Sequence, residues 1–252
     1  MTLFESIILG TIQGLTEFLP ISSSGHLVLF QSIMGIKQPG NEFEVLVHLG
    51  TLGSVLFVFY KDIFNLLSTL KLKSTRHFIL MVILGTIPTV AIGLTLKNFI
   101  ASLFENINNV GIALIFTGFF LISTFFIERK NLKNSLKKSL LIGICQAIAI
   151  IPGISRSGIT ISCALLLGIS PKKAAKFSFM LAIPAISGAG ILTALDINSG
   201  YQISSSIAFG GIISSFFVGV ISLKWLLRLL QTGKFHFFGF YCIAIGLFAN
   251  FL

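Results

Sequence analysis

A polar knot interrupts the first apolar stretch of this chain, and it returns once. The first copy reads Gln13-Gly14-Leu15-Thr16-Glu17-Phe18-Leu19-Pro20-Ile21-Ser22-Ser23-Ser24-Gly25-His26; the second, 133 residues later, spans 146–159 and carries Pro152-Gly153-Ile154-Ser155-Arg156-Ser157-Gly158. At that offset Gly10 meets Gly143, Gln13 meets Gln146, Ile21-Ser22 meets Ile154-Ser155, and Ser24-Gly25 meets Ser157-Gly158. The copies diverge in their ionisable groups. The first keeps Glu17 and His26, and the second has Arg156 where the first has Ser23.

The knot limits what residues 3–35 can form. Pro20, three serines and Gly25 break the stretch into helices of roughly 16 and 10 residues, whereas one bilayer crossing takes about 20. Two short helices around a broken centre predict a re-entrant hairpin, which is tolerated at membrane depth only where its loop is buried in protein or lines a wet cavity.

Composition supplies the solvent. The 252 residues are 54% hydrophobic and 10% charged, with a mean hydropathy of +0.97. A soluble domain carries about 25% charged residues, so a multi-span membrane protein is expected. The net charge of +10 does not point to nucleic acid, because the basic residues lie in short runs between apolar segments, as in cytoplasmic membrane loops. Cys145, Cys163 and Cys242 have apolar neighbours and no metal-ligand spacing, and read as packing residues. No Lys or Arg precedes the first apolar run, so a cleaved signal peptide is not expected.

Full spans are predicted at 43–60, 78–96, 109–127, 177–195, 203–223 and 236–252. The basic connections are 61–77 (Lys61, Lys71, Lys73, Arg76), 128–138 (Arg129, Lys130, Lys133, Lys137, Lys138), 170–176 (Lys172, Lys173, Lys176) and the one holding Lys224, Arg228 and Lys234. They belong inside, while 36–42, 97–108 and 196–202 belong outside. A single crossing by 139–169 would put one basic loop outside, and that stretch is too short for two, so a second re-entrant hairpin is expected there. The fold expected is therefore an all-α polytopic membrane protein of two inverted-topology repeats, each a re-entrant helix hairpin plus three transmembrane helices. It forms a single membrane domain over 1–252, with repeats 1–128 and 134–252. Both termini face outward, and the hairpin tips meet near the midplane. Gly188, Ala189, Gly190, Gly210 and Gly211 are expected to allow close helix contact.

Arg156 is the most informative residue, since Arg at membrane depth costs at least about 2.5–3.5 kcal/mol and has a partner. A structural ion pair with Glu17 is one reading. The other is a phosphate site: Ser155, Ser157 and Thr160 bring hydroxyls, and Gly153 and Gly158 let backbone N–H groups near a helix start approach an anion. Guanidinium plus such donors makes a phosphate cradle. Gln13 and Glu17, four apart, share a helix face. Glu17, Ser23, His26 and Arg156 together have the chemistry to hold, attack and protonate a phosphoryl group, with Gln13, Ser22, Ser24, Gly25, Ser155, Ser157, Gly158 and Thr160 as further binding residues. Glu44 and His48 are also four apart, and helix packing is favoured for them over a supporting role at the site. His77 and His236 are read as interfacial.

These motifs, Gln13-x3-Glu17 with Phe18-Leu19-Pro20, Ser22-Ser23-Ser24-Gly25-His26, and Pro152-Gly153-Ile154-Ser155-Arg156-Ser157-Gly158-Ile159-Thr160, resemble those of the undecaprenyl-diphosphate phosphatase family, the integral-membrane type linked to bacitracin resistance. With the span plan, the resemblance covers essentially the whole chain. It implies removal of the terminal phosphate from a C55 polyprenyl diphosphate, regenerating the monophosphate carrier for cell-wall synthesis in a bacterial plasma membrane. It also implies stimulation by a divalent cation, Mg2+ or Ca2+, with Glu17 as the protein ligand. Family members carry Glu or Gln at the position of Gln13, and Gln leaves one fewer carboxylate for a metal. Expected partners are the polyprenyl diphosphate and surrounding membrane lipid, with no nucleic acid; a homodimer stays open. Ser23, His26 and an activated water all remain as attackers. The competing class is a secondary transporter or polyprenyl-phosphate flippase, which shares the inverted-repeat build but needs no nucleophile.

Overall fold

The computed structural model describes residues 1–36, 42–104, 106–126, 131–196 and 203–251. Expected outer loops 36–42 and 196–202, and the Glu128-Arg129-Lys130 part of loop 128–138, lie largely or wholly outside the described residues. Within them the chain is helical, with one isolated bridge between Leu132 and Ile169.

Helix α1 (Leu3–Phe18) starts on a capping box: Thr2 Oγ1 accepts from the Glu5 N–H, and Glu5 Oε2 accepts from the Thr2 N–H at 2.7 Å. It stops because Leu19 must be extended ahead of Pro20. Helix α2 (Ser23–Ile33) folds back against α1. Helix α8 (Leu136–Ile148) and helix α9 (Arg156–Leu166) repeat this pair. The α8 start lies 133 residues after that of α1, and α9 both starts and ends 133 residues after α2.

Between the pairs lie α3 (Glu42–Val58), α4 (Tyr60–Ser68), α5 (Lys73–Thr95), α6 (Lys97–Leu103) and α7 (Ile107–Ser123); after them come α10 (Pro171–Asp196), α11 (Ser205–Thr232) and α12 (Phe237–Ala249). Among the described residues four helical stretches are long and apolar enough to cross a membrane: α5, α7 with its following 3-10 turn, α10 and α11. A fifth appears if α3 and α4 count as one bent span. Within the sixth expected span, 236–252, lies α12, an apolar helix whose 13 residues fall short of the about 20 that a crossing takes.

Several expected boundaries are corrected. Residues 61–77 are not a plain loop: α4 continues α3 after a 68° bend, buries none of its residues and leaves Phe64 and Leu67 exposed. Residues 97–108 include α6. The basic residues Lys172, Lys173 and Lys176 lie on the first turns of α10, which opens at Pro171, a residue suited to a first helical position. Helix α11 runs past residue 223 through Lys224 and Arg228 to Gly233, whose φ of 78° ends it. Long basic side chains carry their charge to the headgroups from a helix as readily as from a loop, so charge alone places these helix ends too early.

Packing is reciprocal between the halves: α1 lies along α11, and α8 along α5. Helices α7 and α12 cross antiparallel, so closely that a Cβ on Gly118 would stand 2.6 Å from the Gly239 carbonyl oxygen, and one on Gly239 2.5 Å from that of Gly118. Gly210 and Gly211 pack against Leu3 and Phe43, as close helix contact requires, whereas a Cβ on Gly188 would meet nothing. The largest buried cluster joins Phe18, Phe59, Phe177 and Phe179. Phe18 meets Phe179 edge-on at 5.7 Å, which anchors the last turn of α1 and with it the neighbouring Glu17.

Candidate active site

The two helix breaks touch. A Cβ on Gly25, at the start of α2, would lie 3.2 Å from Gly153 Cα in the second break, and one on Gly158, at the start of α9, would lie 3.2 Å from Pro20 Cβ in the first. Each helix opens the same way. Ser22 Oγ accepts from the Gly25 N–H at 3.2 Å and meets Ser24 Oγ at 3.2 Å; Ser155 Oγ accepts from the Gly158 N–H at 3.1 Å and meets Ser157 Oγ at 3.3 Å. Side-chain caps of this kind satisfy one orphan donor per helix start. Two positive dipole ends thus converge on one buried place.

Glu17 is the hub. It is 7% exposed, and its Oε1 accepts from Arg156 Nη2 at 2.5 Å. Its Oε2 accepts from Ser23 Oγ at 2.5 Å and from Gln13 Nε2 at 3.1 Å. His48 Nε2 stands 3.6 Å from the same oxygen. Arg156 therefore has a carboxylate partner, as its burial demands, but only part of its guanidinium is used. Its Nη1 is buried without a hydrogen-bond partner, and so is Gln13 Oε1.

Of the residues singled out in the sequence, Gln13, Glu17, Ser23 and Arg156 come into direct contact. Ser22, Ser24, Gly25, Ser155, Ser157 and Gly158 build the two helix starts beside them. His26 stands apart from the carboxylate: its Nδ1 lies 2.8 Å from the Ser22 carbonyl oxygen and its Nε2 2.9 Å from the Tyr241 hydroxyl. A carbonyl only accepts, so Nδ1 carries the proton and, in the neutral ring, Nε2 accepts from Tyr241. The two rings stack 5.7 Å apart at 6°. The Thr160 hydroxyl is engaged with the Arg156 carbonyl at 2.7 Å and with Ser178 Oγ at 2.6 Å, between α9 and α10.

Ser22 is the one non-glycine residue with positive φ among those described, at 68°. Such a conformation costs on the order of 1–3 kcal/mol and persists where the surroundings fix it; here the Ser22 carbonyl and hydroxyl are both bonded to α2.

Two residues at the site were not assigned to it from the sequence. His48 carried a signal, an ionisable pair with Glu44 in an apolar helix, but spacing alone did not aim it at Glu17. Tyr241 carried none beyond a hydroxyl within apolar α12. Among the described residues no three His, Cys, Asp or Glu side chains converge.

Comparison with known proteins bears on the same residues. A protein called undecaprenyl-diphosphatase from Desulforapulum autotrophicum is 39% identical over 271 residues, covering 98% of this chain and 97% of its own. Proteins of the same name from Korarchaeum cryptofilum and Halothermothrix orenii are 39% and 40% identical, covering 98% of this chain and 98% and 96% of theirs. The family model described as bacitracin resistance protein BacA matches residues 6–248, a range that takes in both hairpins and every residue around Glu17, and the chain belongs to that family.

Proposed function

We propose that this protein is an integral-membrane undecaprenyl-diphosphatase that releases the terminal phosphate of undecaprenyl diphosphate and returns the monophosphate carrier to cell-wall synthesis, the activity that underlies bacitracin resistance. The observation that carries the reading is the contact of Ser23 Oγ and Arg156 Nη2 with the two oxygens of Glu17, together with the relatives' shared name.

The chemistry follows from that contact. Ser23 already directs its proton at Glu17 Oε2, so Glu17 is placed to take it as Oγ attacks the terminal phosphorus. The bond from that phosphorus to the bridging oxygen breaks, and its electrons leave with undecaprenyl phosphate. Glu17 gives the serine proton to the departing phosphate, then takes one from the water that attacks the Ser23 phosphoester and passes it to Oγ as that bond breaks, which releases inorganic phosphate and restores both hydroxyl and carboxylate. Arg156 offers its unpartnered Nη1 to the phosphate oxygens, where donors aimed at developing charge lower the barrier. The starts of α2 and α9 add their dipoles. His26, tied to Ser22 and Tyr241, holds the backbone that presents Ser23.

A divalent cation, if used, would be held by the Glu17 carboxylate, with Gln13 Oε1 as a buried oxygen without a partner and substrate phosphates as the remaining ligands, and would supply charge neutralisation for the diphosphate.

The matched boundaries of α2 and α9 and the reciprocal packing support two inverted repeats, 1–128 and 134–252, each a re-entrant hairpin plus three spans. The basic loops on one side support outward termini and a site open to the outer leaflet. Phosphate release by purified protein in detergent, where no two sides exist to transport between, tests the reading; substrate bound but left intact there makes it a flippase.

A further inference from the structure

Away from Glu17, helix α4 departs from the pattern of its neighbours. It follows α3 after a 68° bend and buries none of its residues. Its side chains divide by face, with Ile63, Leu66 and Leu67 three and four apart on one side and Lys61, Asn65 and Ser68 on the other. A helix with two such faces lies along the headgroup layer. Its apolar face closes, with α5 and α10, a groove of about 610 Å3, within the roughly 300–1,000 Å3 of ligand clefts.

The groove has no polar grip of its own. Thr86 is the one lining residue with a hydroxyl, and it donates to the Val82 carbonyl at 2.8 Å, so the lining suits a hydrocarbon chain and leaves a polar head outside. All the lining residues lie on α4, α5 and α10, which sets the groove apart from the hairpins that meet at Glu17.

One end of the groove is basic. Lys176 precedes the lining residue Met180 by one turn of α10, Arg76 precedes Ile79 by one turn of α5, and Lys61 lies in the first turn of α4 beside Ile63. Lys176 is tied to Asp62, joining α10 to α4 at that end. Asp62 is the one acid in residues 61–77 and 170–176, against seven Lys and Arg, and Lys73 and Arg76 are exposed. An apolar groove under such a rim complements an acyl chain below an anionic headgroup.

We propose that this groove binds an anionic diacyl phospholipid, with one acyl chain between α4, α5 and α10 and the phosphate at Lys73 and Arg76. Each Lys or Arg at a headgroup layer favours anionic lipid by on the order of fivefold. The inference does not rest on the phosphatase reading, because none of these residues belongs to the site around Glu17.

The test titrates the delipidated full chain in detergent with phosphatidylglycerol, or with phosphatidylcholine of the same chains, and counts bound lipid by native mass spectrometry. One phosphatidylglycerol per chain should bind saturably, at least about tenfold tighter than phosphatidylcholine. Lys73→Gln combined with Arg76→Gln should weaken phosphatidylglycerol by about 25-fold and leave phosphatidylcholine unchanged. Ile83→Trp and Leu67→Trp, at lining residues that are exposed, should each fill the groove and remove both lipids, and whichever of the two melts as wild type does decides the point. Equal affinity for the two lipids overturns the proposal, as does phosphatidylglycerol binding that a folded tryptophan variant leaves intact. Displacement of phosphatidylglycerol by an equal concentration of undecaprenyl phosphate overturns it too, and gives the groove to a prenyl tail.

Discussion

Arg156 reaches from the second hairpin to Glu17 of the first, with Nη2 2.5 Å from Oε1, so the charge on one hairpin is balanced by the carboxylate on the other. The other guanidinium nitrogen, Nη1, has no hydrogen-bond partner. Arg156→Lys keeps the charge but cannot hold Glu17 and a phosphate oxygen together in one plane. Phosphate release by this variant should fall by at least about 100-fold in folded protein; turnover equal to wild type ends the phosphate-clamp role.

Removing the carboxylate separates stability from chemistry. Glu17→Gln leaves a partly buried Arg156 without its countercharge, which costs up to about 3–5 kcal/mol, and removes the proposed base, which costs at least about 100-fold in turnover. Adding Arg156→Met to Glu17→Gln should return thermal stability toward wild type and leave the protein inactive. If stability and activity recover together, the pair is structural only.

Ser23 and His26 should differ in kind. Ser23→Ala removes the attacking oxygen and should abolish the burst of phosphorylated enzyme seen on rapid quenching with labelled substrate; a surviving burst assigns attack elsewhere. His26→Ala removes the tie from Ser22 to Tyr241 and, by misplacing Ser23, should lower turnover by about 100-fold, whereas Tyr241→Phe keeps the stacked ring and should cost less. A Tyr241→Phe variant as slow as His26→Ala gives the hydroxyl a larger part than holding the ring.

Much of this arrangement could be read from the residues. The 133-residue offset paired the two breaks, and α9 keeps that offset from α2 at both ends because Ser22 and Ser155 both cap their helices three residues before a glycine. Pro20 foretold where α1 stops. Helix ends near basic residues are not legible in the same way: Lys73, Lys172 and Arg228 sit on helices, and because long basic side chains can carry charge to the headgroups from either, no local signal separates a helix end from a loop. The bend at Phe59 has no proline to announce it. His48 and Tyr241 meet the site only because α3 and α12 pack where they do, which is a tertiary fact. The meeting of Gln13, Glu17, Ser23 and Arg156 was legible because a buried Arg needs an acid, and Glu17 was the acid in the matching motif.

The α7–α12 crossing offers a test away from the chemistry. Gly118→Val sets its Cβ at 2.6 Å from the Gly239 carbonyl, against rigid backbone on both sides, so the helices must separate. The variant should melt several degrees lower in detergent, and Gly188→Ala, whose Cβ meets open space, should melt as wild type does. Equal melting of the two would mean that the helices are not held at this crossing.

The last prediction concerns the side from which substrate arrives. The lipid's tail cannot leave the hydrocarbon without losing about 0.8 kcal/mol per CH2 exposed, so the diphosphate must reach Glu17 from a headgroup layer. In the proposed orientation the basic connections around Lys71, Lys73 and Arg76, and around Lys133, Lys137 and Lys138, face the cytoplasm. On that face Lys176 pairs with Asp62, joining α10 to α4, and Lys138 Nζ donates to the Leu167 carbonyl at 2.9 Å, so several ties close it. The first hairpin then opens outward. Ser24 is the reporter of choice, since it is partly exposed beside the site while Ser22 is buried at a positive φ that a cysteine would strain. Half-buried Cys145, with buried Cys163 and Cys242, must first be removed. Ser24→Cys in that background should react with an impermeant thiol reagent added outside intact cells, and bound substrate should slow the reaction. Labelling only from the cytoplasmic side would reverse the orientation and put the diphosphate's approach on the inner leaflet.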